Sequence, residues 1–373
     1  MSKDEIQHFK KVYPYNFSNV LVVDDKNDYK RLGELFRSWI DKKILTEDKK
    51  PCFYLHEQRF EFENKLYRRL GFLGLLRIDK PGIVFPHEHT FGAPKKDRYS
   101  ILKELKANLS PIFIIVPGRL NILDLLYQAY RDKSPFMRFK DFSNIENRVW
   151  RIENKSFIRK IYLGFFLKDL FIADGHHRFE VAYKYFKKMK NKFKDLNYIL
   201  TYFTDSKSGI LILPTHRVIK IKTDTKDVFK KLSKYFDIER LTKKGFKNSF
   251  HNSDKLAFGL YVKRNYYLLH LKNDAILDKI LKRDKEKIYR DLDVYILHKF
   301  IFPSLKKERD IIYTHSLEEA TKLAGRDKLA FILKPASLNN VFRIAKCGYR
   351  LPHKSTYFYP KLPSGVVIRR FET

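Results

Sequence analysis

Five consecutive residues, Asp174-Gly175-His176-His177-Arg178, follow the apolar run Leu170-Phe171-Ile172-Ala173 and precede a stretch with helical spacing. A glycine at a strand-to-helix junction lets the backbone turn sharply, and the amides opening the helix bring positive partial charge to one point. Arg178 adds a planar fork that suits phosphate, and two imidazoles add groups that titrate near neutral pH. The segment reads as a phosphate-binding turn, with Gly175, His176, His177 and Arg178 at the phosphate. Asp174 is placed to bind Mg²⁺ or to orient a histidine.

Other stretches carry chemistry as well. Phe85-Pro86-His87-Glu88-His89-Thr90 leads into Pro94-Lys95-Lys96-Asp97-Arg98. Glu88 between His87 and His89 fits a general base tuned by its neighbours, with Arg98 an added cation. Near the end, Pro352-His353-Lys354-Ser355-Thr356 offers an anion site in Lys354, Ser355 and Thr356, while Tyr357, Phe358 and Tyr359 read as core. His216 and Arg217, just after a strand, add a further imidazole and cation. The four histidines 87, 89, 176 and 177 also suit zinc or iron, but neither pair has the i,i+4 spacing of a helical metal motif.

These segments need a scaffold. The 373 residues are 44% hydrophobic and 15% aromatic, enough for a large core and length enough for two domains. Cys52 and Cys347 are the only cysteines, which excludes a disulfide scaffold and fits a reducing, cytoplasmic compartment. No basic-then-apolar leader opens the chain and no apolar run approaches the length of a membrane helix. Lys+Arg 77 against Asp+Glu 43 gives +34. Such a surface attracts polyanions, yet the charge is spread along the chain rather than gathered in an arm, so a small-molecule partner is favoured over nucleic acid.

The pattern predicts a short strand from Asn19 to Asp24, then a helix capped by Asp28 with Tyr29, Leu32, Leu35, Phe36, Trp39 and Ile40 on one face. Two strands over 52–79 turn at Glu63-Asn64-Lys65. A helix near 97–107, a buried strand Ile112–Val116 and a helix near 120–131 come next. Arg148–Ile152 and Ser156–Phe166 read as β-rich, and a helix runs from Arg178 to Met189. Strands are expected at Tyr198–Thr204 and Ile210–Leu213. Past residue 220, stretches such as Val228–Phe236 and Phe258–Leu271 suggest alternating helices and strands. The division expected is 1–219 and 220–373, in an α/β (α+β) fold.

The motifs resemble a catalogued family, domain-of-unknown-function family 1015. They are FPHEHT at 85–90, KKDR at 95–98, ANLSPIF at 107–113, IADGHHRFEVA at 172–182, LPTHR at 213–217 and LPHKSTYFYPKLPSGVVI at 351–368. The resemblance spans roughly residues 50–373. The chain departs from it before Tyr13, where relatives carry a Pro-Pro-Tyr-Asp segment, and at Pro352-His353, where relatives have two prolines. More distantly, the DGHHR turn is similar to the glycine–polar–arginine box of the ParB/sulfiredoxin superfamily, which includes free-serine kinases. That similarity implies a ParB/sulfiredoxin-like core followed by a second α/β region, and contacts to nucleotide phosphates from Gly175 to Arg178. The activity it implies is phosphoryl transfer from a nucleotide or pyrophosphate to a small-molecule hydroxyl such as free L-serine, with a carboxylate as base; Glu88 is the candidate for that role on its loop chemistry. The alternatives are a ParB-like nucleotide- or nucleic-acid-binding regulator and a metal-dependent hydrolase.

Overall fold

The computed structural model describes residues 3–23, 28–90, 92–193, 195–221, 224–253, 256–281, 287–305, 307–325 and 327–371. The fold is mixed α/β. Contacts gather the chain into two compact units, and the chain crosses between them more than once. The first holds residues 1–86, 90–210 and 360–373; the second holds 87–89 and 211–359.

Helices α1 (Lys3–Val12), α2 (Ser18–Leu21) and α3 (Tyr29–Asp41) open the first unit. Val20-Leu21-Val22-Val23 is therefore not a strand. Asn16 accepts a hydrogen bond from the Ser18 amide at 3.0 Å and seeds a helical turn instead. The end expected for that strand, Asp24, lies outside the described residues. Asp28 stands at the start of α3 without a side-chain capping bond, and Leu32, Phe36 and Trp39 are the buried face.

Strands β1 (Phe53–Phe62) and β2 (Lys65–Arg77) form the expected hairpin. Its two loop residues, Glu63 and Asn64, both have positive φ, at 50° and 60°. That backbone matches the twist of the strands it joins. Then follow β3 (Val84–Pro86), α4 (Gly92–Leu105), β4 (Ala107–Asn108), β5 (Ile112–Val116), α5 (Asn121–Tyr130), β6 (Met137–Lys140), β7 (Glu146–Ile152), α6 (Lys155–Phe165), β8 (Leu170–Asp174), α7 (His176–Met189) and β9 (Tyr198–Asp205). The run Ser156–Phe166 is thus helix α6 rather than strand. Asn154 caps it by accepting from the Ser156 and Phe157 amides, and Ile161 supplies its buried contact.

Eight of these strands make one mixed sheet in the order β3-β8-β5-β9-β2-β1-β7-β6. The interior strand β5 is buried from end to end, which explains its uninterrupted apolar run. Leu55, Phe72, Ile114, Ile172 and Phe203 of the sheet share one core with Leu126 of α5, Ile161 of α6 and Phe179 of α7. Helix α4 joins α3 in a second core through Ile101 and Leu105, and meets α7 through Leu102 and Val181.

In the second unit β10 (Leu211–Leu213) is followed by β11 (His216–Ile221), β12 (Phe236–Leu241), β13 (Ala257–Val262), β14 (Asn265–Leu271), β15 (Lys307–Thr314), β16 (Lys328–Ile332) and β17 (Tyr357–Tyr359). The stretch Val228–Phe236 divides between a helix, Thr225–Leu232, and the start of β12. The stretch Phe258–Leu271 is the β13–β14 hairpin. Six strands form an antiparallel sheet, β12-β14-β13-β16-β11-β15, while β10 and β17 pair separately.

Candidate functional site: an anion-binding turn and a carboxylate cluster

The turn between β8 and α7 is built as the sequence predicts, with one difference. The helix begins at His176, two residues earlier than expected, so both histidines belong to its first turn. Gly175 sits at its N-cap with φ +91°, a left-handed conformation costly for any residue with a Cβ. A Cβ here would also stand 3.0 Å from Ile112 Cγ2 and 3.1 Å from Arg178 Nε and Nη2. The first i→i−4 bond of the helix runs from the Phe179 amide to the Gly175 carbonyl at 2.9 Å. The amides of residues 176–178 come before that ladder.

Asp174 closes the strand, and one of its oxygens accepts from the Gly175 amide at 2.8 Å. The other lies 3.4 Å from Lys361 Nζ and 3.7 Å from Arg178 Nη2. Burial alone would raise this carboxyl. The charges of Lys361 and Arg178, the Gly175 amide and His176 outweigh it and hold the pKa at about 2. Arg178 is anchored from behind by donating to the Pro111 carbonyl. Burial lowers its pKa, as does the charge of Arg98, while Asp174 raises it. His176 is buried, at 6% exposure. His177 is half-buried, and burial together with Lys95 and Arg98 lowers its pKa against the opposing pull of Glu180. Glu180, one turn on, accepts from Thr90 Oγ1 at 2.6 Å and from Lys95 Nζ at 3.1 Å. Beside Arg178 a cavity of about 60 Å³ is lined by Arg98, Asn108 and Ser110 with apolar Ile101, Leu102 and Val181.

Arg178, Lys361, Lys95 and Arg98 thus stand around a helix N-terminus that holds two carboxylates. Lys95, Lys361, Glu180 and Thr90 are not among the residues expected at this turn. The sequence signal for Lys361 was faint: it closes the KSTYFYPK run, 183 positions after Arg178.

The other expected residues lie in the second unit. His87, fully buried, points Nε2 at Thr356 Oγ1 at 2.9 Å, and that hydroxyl donates to Glu88 Oε1 at 3.1 Å. Since the threonine proton goes to Glu88, His87 Nε2–H is the donor to the hydroxyl oxygen. The Glu88 carboxylate is 22% exposed. Its backbone bridges to Leu351, whose amide donates to the His87 carbonyl at 2.7 Å. His89 is exposed, its ring 6.0 Å from that of His353.

Arg217 is 1% exposed and donates to the Lys354 carbonyl at 2.9 Å and to the Thr215 carbonyl. Burial pushes its pKa down to about 10 in spite of Asp293, Tyr313 and Glu88. Lys354, at φ +53°, rests its Nζ 4.5 Å from the Tyr313 ring centre. Ser355 is buried and donates to the Pro352 carbonyl. His216 is buried too, and its Nδ1 accepts from the Leu333 amide at 3.2 Å. The last two, with Arg217, hold backbone together. The structure therefore gathers Asp174–Arg178 with Arg98, and separately His87 and Glu88 with Thr356.

Among the described residues no group of three His, Cys, Asp or Glu side chains is placed to hold a metal. Asp174 does not fit Mg²⁺ either. A divalent ion there would meet Lys361 and Arg178 instead of the several oxygens it requires. Both cysteines are free. No described helix is long and apolar enough to cross a membrane.

Sheet, turn and cations together define an α/β protein with a strand–glycine–helix junction ringed by cations. The chain belongs to the family described as "Protein of unknown function (DUF1015)", whose model matches residues 1–295. The motif at 351–368 lies beyond the matched part. No curated protein matches the chain. A solved structure of a free serine kinase variant in complex with ADP is similar at 13% identity and a TM-score of 0.41, over 80% of this chain and 92% of that one. A conserved hypothetical protein from Pyrococcus furiosus is similar at 15% identity and a TM-score of 0.37, over 78% and 93%. SbnI with a C-terminal truncation, from Staphylococcus aureus, is similar at 9% identity and a TM-score of 0.40, over 77% and 82%.

Proposed function

We propose that this chain is a phosphotransferase that moves a phosphoryl group from a nucleotide or pyrophosphate to the hydroxyl of a small molecule. The observation that carries the reading is the cationic ring about the α7 N-terminus. Arg178, Lys361, Lys95 and Arg98 surround a turn whose glycine has the left-handed backbone that aims the helix amides. Phosphoryl transfer asks little covalent chemistry of a protein. It requires positioning and neutralisation of charge on the transferred group, and these side chains supply both. Arg178, anchored on the Pro111 carbonyl, presents a fixed cation. Lys361 is paired with Asp174 and is drawn toward an incoming phosphate as that pair loosens. His177, with its pKa below the ordinary histidine value, is a neutral hydrogen-bonding group at pH 7.

Glu88 is assigned the proton of the acceptor hydroxyl. Its carboxylate is held by Thr356, itself held by His87, which fixes the orientation of the group. The resemblance of the DGHHR turn to the superfamily with free-serine kinases selects L-serine as the first acceptor to test.

The experiment incubates the protein with L-serine and, in turn, ATP, ADP and pyrophosphate, and follows phosphoserine by ³¹P NMR. Transfer from at least one donor is expected, falling on the order of 100-fold or more in Arg178→Ala and in Glu88→Gln. No phosphorylated acceptor with any donor overturns the reading.

A further inference from the structure

Arg69 is, with Arg217, one of the two largest fully buried side chains among the described residues, and it is charged. It lies in β2 directly opposite Gln58 of β1, also fully buried. Its Nε donates to Gln58 Oε1 at 3.0 Å, and Nη2 donates to the same oxygen and to the Pro360 carbonyl at 2.6 Å. Gln58 in turn sends its Nε2–H to the Lys361 carbonyl at 3.4 Å. The guanidinium stands 4.9 Å from the Phe113 ring centre and 5.8 Å from that of Tyr202.

A buried cation is a costly way to fill a sheet, and an apolar residue of similar size would pack there at less cost. What the pair achieves is specific: two neighbouring side chains seize two consecutive backbone carbonyls, those of residues 360 and 361. Lys361 then stands with Nζ 3.4 Å from Asp174 Oδ2. Only a planar fork can serve Gln58 and Pro360 together, so lysine is no substitute.

We infer that Arg69, with Gln58, is a positioning residue of the anion site, fixing the Pro360–Lys361 backbone so that the Lys361 ammonium faces Asp174. For its importance to catalysis the inference rests on the phosphate reading of that site. The geometry is testable without it. Lys361 is a leading charge that keeps Asp174 ionised.

The test titrates the Asp174 carboxyl by ¹³C NMR in the full-length protein, in Lys361→Ala, in Arg69→Lys and in the double variant, and measures ATP affinity for each by calorimetry. Lys361→Ala is expected to raise the Asp174 pKa and to weaken ATP binding about tenfold, the loss of one charge-assisted contact. Arg69→Lys keeps the charge and is expected to shift both in the same directions. The double variant is expected to match Lys361→Ala alone.

An Asp174 titration unchanged in Arg69→Lys overturns the inference, and so do effects that add in the double variant. Absence of ATP binding by the wild type counts against the phosphotransferase reading, while the titrations still decide the positioning role. If Arg69→Lys does not fold, Gln58→Asn carries the same measurements. It keeps an amide beside Arg69 but is one methylene too short to hold Lys361, and an Asp174 titration like the wild type's then overturns the inference.

Discussion

Gly175 shows how much of a site can rest on one residue without a side chain. Its +91° φ aims the start of α7, and the space a Cβ would need is held by Ile112 and Arg178. Gly175→Ala should therefore cost about 1–2 kcal/mol from the left-handed backbone alone. It should also dislodge Arg178. Urea unfolding reads the first effect, and phosphate binding by calorimetry reads the second. A variant of wild-type stability and affinity would show that the turn relaxes freely. This residue was legible in the sequence, because a glycine between an apolar run and a helical run has few other uses. Arg69 was not. In the run Tyr67-Arg68-Arg69-Leu70 a charged residue reads as the solvent side of a strand, and only the partner strand and the returning segment 360–361 reveal otherwise. The histidine before Glu88 was legible as a chemical group but not as a donor, since Thr356 is 269 positions away.

At the level of the elements, strands that bury imidazoles tie stability to pH. His56 in β1 shares a hydrogen bond with Asn147 at 2.9 Å, and burial lowers its pKa to about 4. His216 in β11 is likewise held at about 4, by burial first and then by Arg217 and His315. Both values lie below the unfolded value near 6.5, so both rings are neutral in the fold. Their stabilising contribution is complete above pH 6.5 and is lost as pH falls from 6.5 toward 4. Each is worth up to about 3 kcal/mol. The urea midpoint should drop steeply across that window, and less steeply in His216→Asn, whose amide oxygen can still accept from Leu333. An equal drop in both would show that His216 does not titrate there. Most elements were legible from periodicity, and β5, α5 and the β1–β2 hairpin stand close to their expected bounds. The misreadings are short apolar runs with β-branched residues, at 19–24 and 156–166, where the turn held by Asn16 and the cap supplied by Asn154 decided for helix.

Over the whole molecule the +34 charge has consequences of its own. Duplex DNA should bind without sequence preference at low salt, with an affinity that falls steeply and log-linearly as salt rises. Because the charge is distributed, that binding should survive Arg178→Ala, which filter binding across a salt series can establish. Loss of DNA binding with Arg178 would instead make nucleic acid the ligand of the turn, and the regulator the better reading. The path of the chain matters as much as its charge. Residues 360–373 return to the first unit only after the whole of the second unit has been traversed. On the ribosome, Asp174 and its turn are therefore synthesised long before Lys361 exists to neutralise them. Until that lysine emerges, the nascent first unit holds Asp174 without one of its two cationic partners. A polypeptide whose synthesis stops anywhere within 211–359 never acquires it.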